Sequence, residues 1–276
     1  MDHHSTLADV ARLEERHVAG VLKGMADEWR PFAGGVMSRG APGAWFNRAQ
    51  GAGLDGPVDA SEVDRFIAFY EERGIEPRID LCPFAHESMI AALADRRFVV
   101  RRFLTVLHRP IAMDRDDVID HPAPPGLTIE PIDPSDAGAI EDFGRQWVVG
   151  FENSDSARIE ETMRSARRVV EREDSIAVRA MVDGRCVGAG GLELDGELAS
   201  LFGVCVAPDM RRKGIQLALL AWRLRRAREA GARVATIESR AGIATETNAM
   251  RKGFSVAYTK VTMVRPGEGL VPVAGG

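Results

Sequence analysis

VCVAPDMRRKGIQLALL, residues 204–220, reads as a strand, a Pro-Asp turn, three consecutive cations, a glycine and the start of a helix. Ile215, Ala218, Leu219 and Trp222 fall at i, i+3, i+4 and i+7, one face of an α-helix running from about Gly214 to Ala230. Arg211, Arg212 and Lys213 therefore crowd the helix N-terminus, where cations oppose both one another and the macrodipole. An anion resolves that conflict. Backbone N–H groups at such a strand–loop–helix junction already favour negative charge. Gly214 removes a side chain where a phosphate would approach the backbone.

Working outward, the flanking sequence has a mixed α/β pattern. Upstream, LTIEPI (127–132) reads as a strand, and 134–151 and 157–170 as helices. SIAVRAMVDG and RCVGAGGLELDG form a predicted hairpin turning at Asp183-Gly184, and Asp195-Gly196 leads into LASLFGVCV. Downstream, Gly231 stops the helix, RVATIES is a strand, TETNAMRKG a short helix and FSVAYTKVTMV a last strand.

The whole chain has 276 residues and a formal net charge of −5, which gives no bulk reason to expect a nucleic-acid partner. The arginines of the long helix (Arg223, Arg225, Arg226, Arg228) read as a solvated face beside Glu229. Cys82, Cys186 and Cys205 are scattered and odd in number, which suits a reducing, cytoplasmic setting rather than a disulfide framework. No apolar run is long enough to span a membrane. His3 and His4 are read as a solvent-exposed terminus, so no metal is expected.

MDRDDVIDHPAPPGL (113–127) breaks both helix and strand patterns and is read as a linker over 113–126, dividing 1–112 from 127–276. The first part ends as the second does. Val63, Phe66, Ile67 and Tyr70 mark a helix that Ser61 can cap and Gly74 stops, followed by the strand PRIDLC, a helix over 87–95 and the strand VVRRFLTVLHRP. Phe98 and Pro110 are spaced as Phe254 and Pro266 are, both segments ending in Arg-Pro, which indicates duplicated domains about 156 positions apart. The first copy must then be truncated at its start, with residues 6–29 forming a helix in place of the missing part. The counterpart of 211–216 is DGPVDA (55–60), two aspartates and a proline where an anion would need cations, so this copy is expected not to bind the same ligand.

Arg211-x-x-Gly214-x-Gln216, set between a Val-x-Val-x-Pro strand and an amphipathic helix, resembles the pyrophosphate-binding motif of the GNAT superfamily of N-acyltransferases. The family pattern ends in Gly or Ala, where this chain has Gln216. NAMRKGF (248–254) resembles the family's late helix, which ends in Gly-Phe. The region 127–266 is similar to a whole GNAT domain, and the chain resembles tandem GNAT proteins with a degenerate N-terminal copy. FNRAQGAG (46–53) and CPFAHES (82–88) resemble such N-terminal halves, with no chemistry assigned.

The resemblance implies an α+β fold of two such domains, each a mixed, mostly antiparallel sheet flanked by helices. It implies acetyl-CoA or another acyl-CoA as cofactor. Its contacts would be the backbone of Val204 and Val206, the loop Arg211, Arg212, Lys213, Gly214, Ile215 and Gln216, and Asn248, which could equally cap its helix. The implied reaction is transfer of an acetyl group to a primary amine, on a small molecule or peptide, by direct attack in a ternary complex. A non-catalytic acyl-CoA-binding or regulatory protein is the alternative. A monomer and a homodimer are both open.

The chemistry needs a base for the amine, donors for the oxyanion and a proton for the thiolate. All six histidines lie at or before position 121, which leaves Glu193, Glu197, Glu238 or a water chain as base, with Glu193 the choice by strand register. Many family members carry an acidic tyrosine four positions before the Gly-Phe pair, where this chain has Ala249. Tyr258 is read as packed and Cys205 as a buried structural thiol. Trp147, Phe151 and Glu152 end the first helix of the domain, where they either shape an acceptor pocket or fill the core.

Overall fold

A computed structural model of the chain describes residues 6–112, 124–151 and 155–272. His3, His4, Glu152 and all of the linker but residues 124–126 lie outside these. The chain forms two compact units: residues up to Val106 together with those from Val256 onward, and Leu107–Ser255.

The first unit opens with α1 (Leu7–Met25), held by a capping box in which Thr6 and Asp9 each accept from the other's backbone N–H. The helix predicted to reach residue 29 stops short, because a hairpin follows. β1 (Glu28–Phe32) and β2 (Gly35–Arg39) are antiparallel, joined by Ala33 and Gly34 at φ 47° and 84°, the two positive values of a type I′ turn. β3 (Arg48–Gln50) pairs antiparallel with β2 and parallel with β4 (Arg78–Leu81). Between them lies α2 (Ala60–Glu71), capped by Asp59 and not by Ser61: the Asp59 carboxylate accepts from the Ser61 N–H at 2.8 Å. Ser61 is already inside the first turn. α3 (Glu87–Asp95) and β5 (Val99–Pro110), counted here up to Val106, follow. Phe32, Val63, Phe66, Phe69, Tyr70, Ile79 and Phe98 form this unit's apolar core.

The second unit contains β6 (Leu127–Pro131), α4 (Ala137–Gly150), α5 (Ser156–Glu171), β7 (Ser175–Val182), β8 (Arg185–Asp195), β9 (Leu198–Val206), α6 (Ile215–Glu229), β10 (Val234–Ser239) and α7 (Ala244–Arg251). Its sheet runs β10-β9-β8-β7-β6, antiparallel except for the parallel β9–β10 pair. Leu192, Leu201, Leu220, Leu224, Ile237 and Phe254 are among the side chains of its core. Both units thus follow the order hairpin, strand, helix, strand, helix around one parallel strand pair, of which the sequence reading held for the first unit only the helix, strand and second helix. In the described residues α1 stands where the second unit has β6, α4 and α5.

The last strand, β11 (Ser255–Val264), departs from the expected division. From Val256 it counts with the first unit, where it pairs antiparallel with β4 through Val261–Leu81 and Thr262–Asp80. The reason lies in its inward side chains. Thr262 donates its hydroxyl to Asp80 at 2.6 Å, Tyr258 donates to Glu15 at 2.7 Å, and Lys260 Nζ lies 3.3 Å from Glu15. Tyr258 is packed, as expected. Asp80 also pairs with Arg78 at 3.0 Å and Arg48 at 3.3 Å.

Candidate active site

β9 and β10 are paired over only three positions, Leu198–Val234, Ala199–Ala235 and Ser200–Thr236. β9 then continues to Val206 and β10 to Ser239 outside that register. Beyond Ser200 the β8–β9 ladder carries a bulge: Ala189 faces Cys205, Gly191 faces Phe202, and Gly190 stands against two residues. Gly203 sits in this bulge at φ 61°, and its carbonyl accepts from the Trp147 indole at 2.8 Å. A Cβ at Gly203 would press on that ring, and one at Gly150 would collide with the Cys205 sulfur. α4 therefore lies close against the strand that carries Val204 and Val206. The Trp147 ring is buried on Phe143 and Phe202, whereas Phe151 is exposed beside it.

The loop after Val206 makes a single 3-10 turn, Pro208–Met210, and then reaches α6. Arg212 and Gly214 both take left-handed backbone, φ 64° and 85°, and Gly214 is the N-cap with no side chain bonding the helix end. Alternating left-handed residues turn successive N–H groups toward one concavity, an arrangement that suits an anion. Arg211, Arg212 and Lys213 are all exposed around it. The one carboxylate in the loop, Asp209, is neutralised by Arg185 through bonds of 2.6 and 2.9 Å, which hold its pKa below the usual range. Among the described residues no carboxylate pairs with Arg211, Arg212 or Lys213, so the loop presents positive charge there. Ile215 is buried and anchors the helix start.

Gln216 is explained by its neighbours. Its side chain donates to Thr245 Oγ1 at 3.1 Å and accepts from Asn248 Nδ2 at 2.7 Å, which ties it to α7. Asn248 lies inside α7, whose N-cap is Ile243, so it does not cap that helix. Ala249 is fully buried in the apolar core.

Glu193 is buried and pairs with Ser175 on β7 and Ser200 on β9. Its position is thus level with the last paired residues of β9 and β10. Its carboxylate lies 3.5 Å from Arg172 at the end of α5. Cys205 is buried, and desolvation pushes its thiol up to about 12 against the opposing charges of Arg211 and Arg223. It has no nucleophilic character at neutral pH.

Arg223 departs from the sequence reading. It is not on a solvated face: it is 2% exposed, the largest fully buried side chain of the chain's described residues. Its Nη1 donates to the carbonyls of Gly191 at 3.1 Å and Phe202 at 3.2 Å, and its Nε to that of Leu219 at 3.1 Å. Glycines inside strands at 190, 191 and 203 were the available signal that something approaches the backbone there.

Residues 139–247 match the sequence profile of the acetyltransferase (GNAT) family. This segment is similar to a GNAT domain. The fold agrees over a larger span. A GCN5-related N-acetyltransferase from Kribbella flavida superposes with a TM-score of 0.65 at 18% identity, covering 93% of this chain and 97% of its own. A functionally unknown conserved protein from Staphylococcus epidermidis gives 0.58 at 11% identity, covering 83% and 90%. A tandem GNAT protein from the clavulanic acid biosynthesis pathway gives 0.50 at 16% identity, covering 76% and 69%. No curated protein matches the sequence. Among the described residues no helix is long and apolar enough to cross a membrane, and no cluster of side chains could hold a metal ion.

Proposed function

We propose that the second unit binds acetyl-CoA at the 204–216 segment and transfers its acetyl group to a primary amine by direct attack in a ternary complex. The observation that carries this reading is the α6 N-terminus: an uncapped helix start, two left-handed residues and three exposed cations follow a strand that parts from its neighbour. The cofactor supplies the activated thioester. In this reading the N–H groups at 213–216 and the three cations hold its pyrophosphate. The backbone of Val204 and Val206, past the end of the β9–β10 register, bonds its pantetheine arm. Asn248, bonded to Gln216, is the assigned cofactor contact from α7. Glu193 is the assigned base, placed level with the point where the strands part. The first unit, lacking the cationic loop, is assigned no cofactor.

Calorimetry with acetyl-CoA on the wild type and on Arg211→Glu/Arg212→Glu tests the site. Binding that is lost in the double variant supports the reading, and no binding to the folded wild type sinks it. A second reading, an acyl-CoA-binding protein without turnover, is favoured by the burial of Ala249 where a proton donor would stand. Thiol release with a panel of primary amines separates the two. Loss of turnover in Glu193→Gln with unchanged acetyl-CoA affinity would support the base.

A further inference from the structure

Arg223 is a buried cation without an acidic partner among the described residues. All three of its bonds go to neutral carbonyls. Two of these, on Gly191 and Phe202, belong to residues that face each other across the β8–β9 ladder at the edge of the bulge. The guanidinium packs over Gly190, where a Cβ would meet Arg223 Cζ at 3.4 Å, an ordinary contact. Burying an unpaired guanidinium is costly, and neutral carbonyls offset only part of that cost. A neutral amide could bond the same carbonyls. What arginine adds is a fixed positive charge beneath the strand that runs on to Val204 and Val206. Burial pulls its pKa down to about 10, so the charge persists at neutral pH.

Displacement of a thioester leaves a negative charge to be accommodated. The nitrogen–carbon bond forms, the amine's proton passes to the assigned base Glu193, the carbon–sulfur bond breaks, and the electron pair departs on sulfur as a thiolate. Both tyrosines of the chain, Tyr70 and Tyr258, lie in the first unit, and Cys205 is not acidic. The second unit has neither a phenol nor an acidic thiol to protonate that sulfur early.

We infer that Arg223 is a positioning residue of the acyl-transfer site: it holds the β8–β9 bulge open through the Gly191 and Phe202 carbonyls, and its charge favours the anionic thiolate over the neutral thiol at β9. The thiolate takes its proton later, from water. This inference rests on the cofactor reading above.

The test compares CoA with acetyl-CoA, which lacks an ionisable thiol. Both affinities are measured by calorimetry between about pH 6 and 10, the range that brackets a free thiol near 8.5. In the wild type the preference for CoA over acetyl-CoA should rise about tenfold with pH, with the bound thiol ionising about one unit below the free one. Arg223→Lys should keep most of that rise. Arg223→Gln should lose it while acetyl-CoA affinity changes less than threefold. A role confined to bracing the bulge would move both ligands together and leave the pH dependence unchanged. Wild type that binds acetyl-CoA without a pH-linked preference for CoA overturns this inference alone, whether or not the variants fold. Arg223→Gln that retains the preference overturns it as well. Wild type that binds neither ligand overturns the cofactor reading and this inference with it.

Discussion

Asn248 on α7 donates its Nδ2 to Gln216 Oε1 at 2.7 Å, and Gln216 donates in turn to Thr245. The long side chain at a position where the family pattern has Gly or Ala is thereby turned toward α7, leaving its backbone N–H in the helix end.

Gln216→Ala should therefore leave acetyl-CoA binding within about threefold of wild type while lowering stability by about 1 kcal/mol through the two lost bonds. Gln216→Asp should weaken binding by adding a negative charge beside the proposed anion site. Melting curves and calorimetry on the same samples check both.

Arg212 is a non-glycine residue in left-handed backbone. Arg212→Gly relieves that strain and Arg212→Ala does not, so the glycine variant should be more stable than the alanine variant by about 1 kcal/mol. Both lose the same exposed charge, so both should bind acetyl-CoA equally weakly. Wild-type affinity should fall as salt rises, because these cations face solvent.

The three thiols should be inert in the folded chain. Burial raises Cys205 and Cys82 to about 12 and Cys186 to about 11. A thiol reagent at about pH 8 should label the native protein far more slowly than the denatured protein, since free thiols ionise near 8.5. Half-buried Cys186 should react first. Rapid labelling of Cys205 would contradict its burial against Gly150.

Acid should unfold the first unit early. Burial alone would raise the pKa of Asp80, but Arg78, Arg48, Lys260 and the Thr262 bond together hold it well below the usual carboxylate range. A depressed folded pKa gives stability that is present above the unfolded value and lost as pH falls toward the folded one. The loss should begin below about pH 4. Asp80→Asn should cost about 3–5 kcal/mol at neutral pH by leaving Arg48 and Arg78 uncompensated. It should also flatten the acid limb of the stability curve.

Much of this architecture is written locally. α6 and α7, the Asp183-Gly184 hairpin and the strands of the second unit follow from periodicity and glycine stops. The loop around Gly214 was equally legible as the turn that starts α6. β1 to β3 were not. β3 is Arg-Ala-Gln, buried throughout, with no alternation to reveal it, and its polar residues pair with Glu15 and Asp80, which are remote in sequence. Arg223 was misread although it falls four positions after Leu219 and eight after Ile215, on the apolar face, because its charge was weighed above its spacing. The partner of β11 was likewise invisible, since edge pairing depends on a contact that no window of sequence contains.

That pairing also sets an order on synthesis. Asp80 and Thr262 are 182 positions apart. At a translation rate of ~5–20 residues per second, β4 waits roughly 9 to 36 s on the ribosome before β11 exists. During that time the nascent first unit carries an unpaired strand edge, the feature that invites wrong partners. A chain cut at residue 112 is expected to keep that edge unpaired for as long as it lasts.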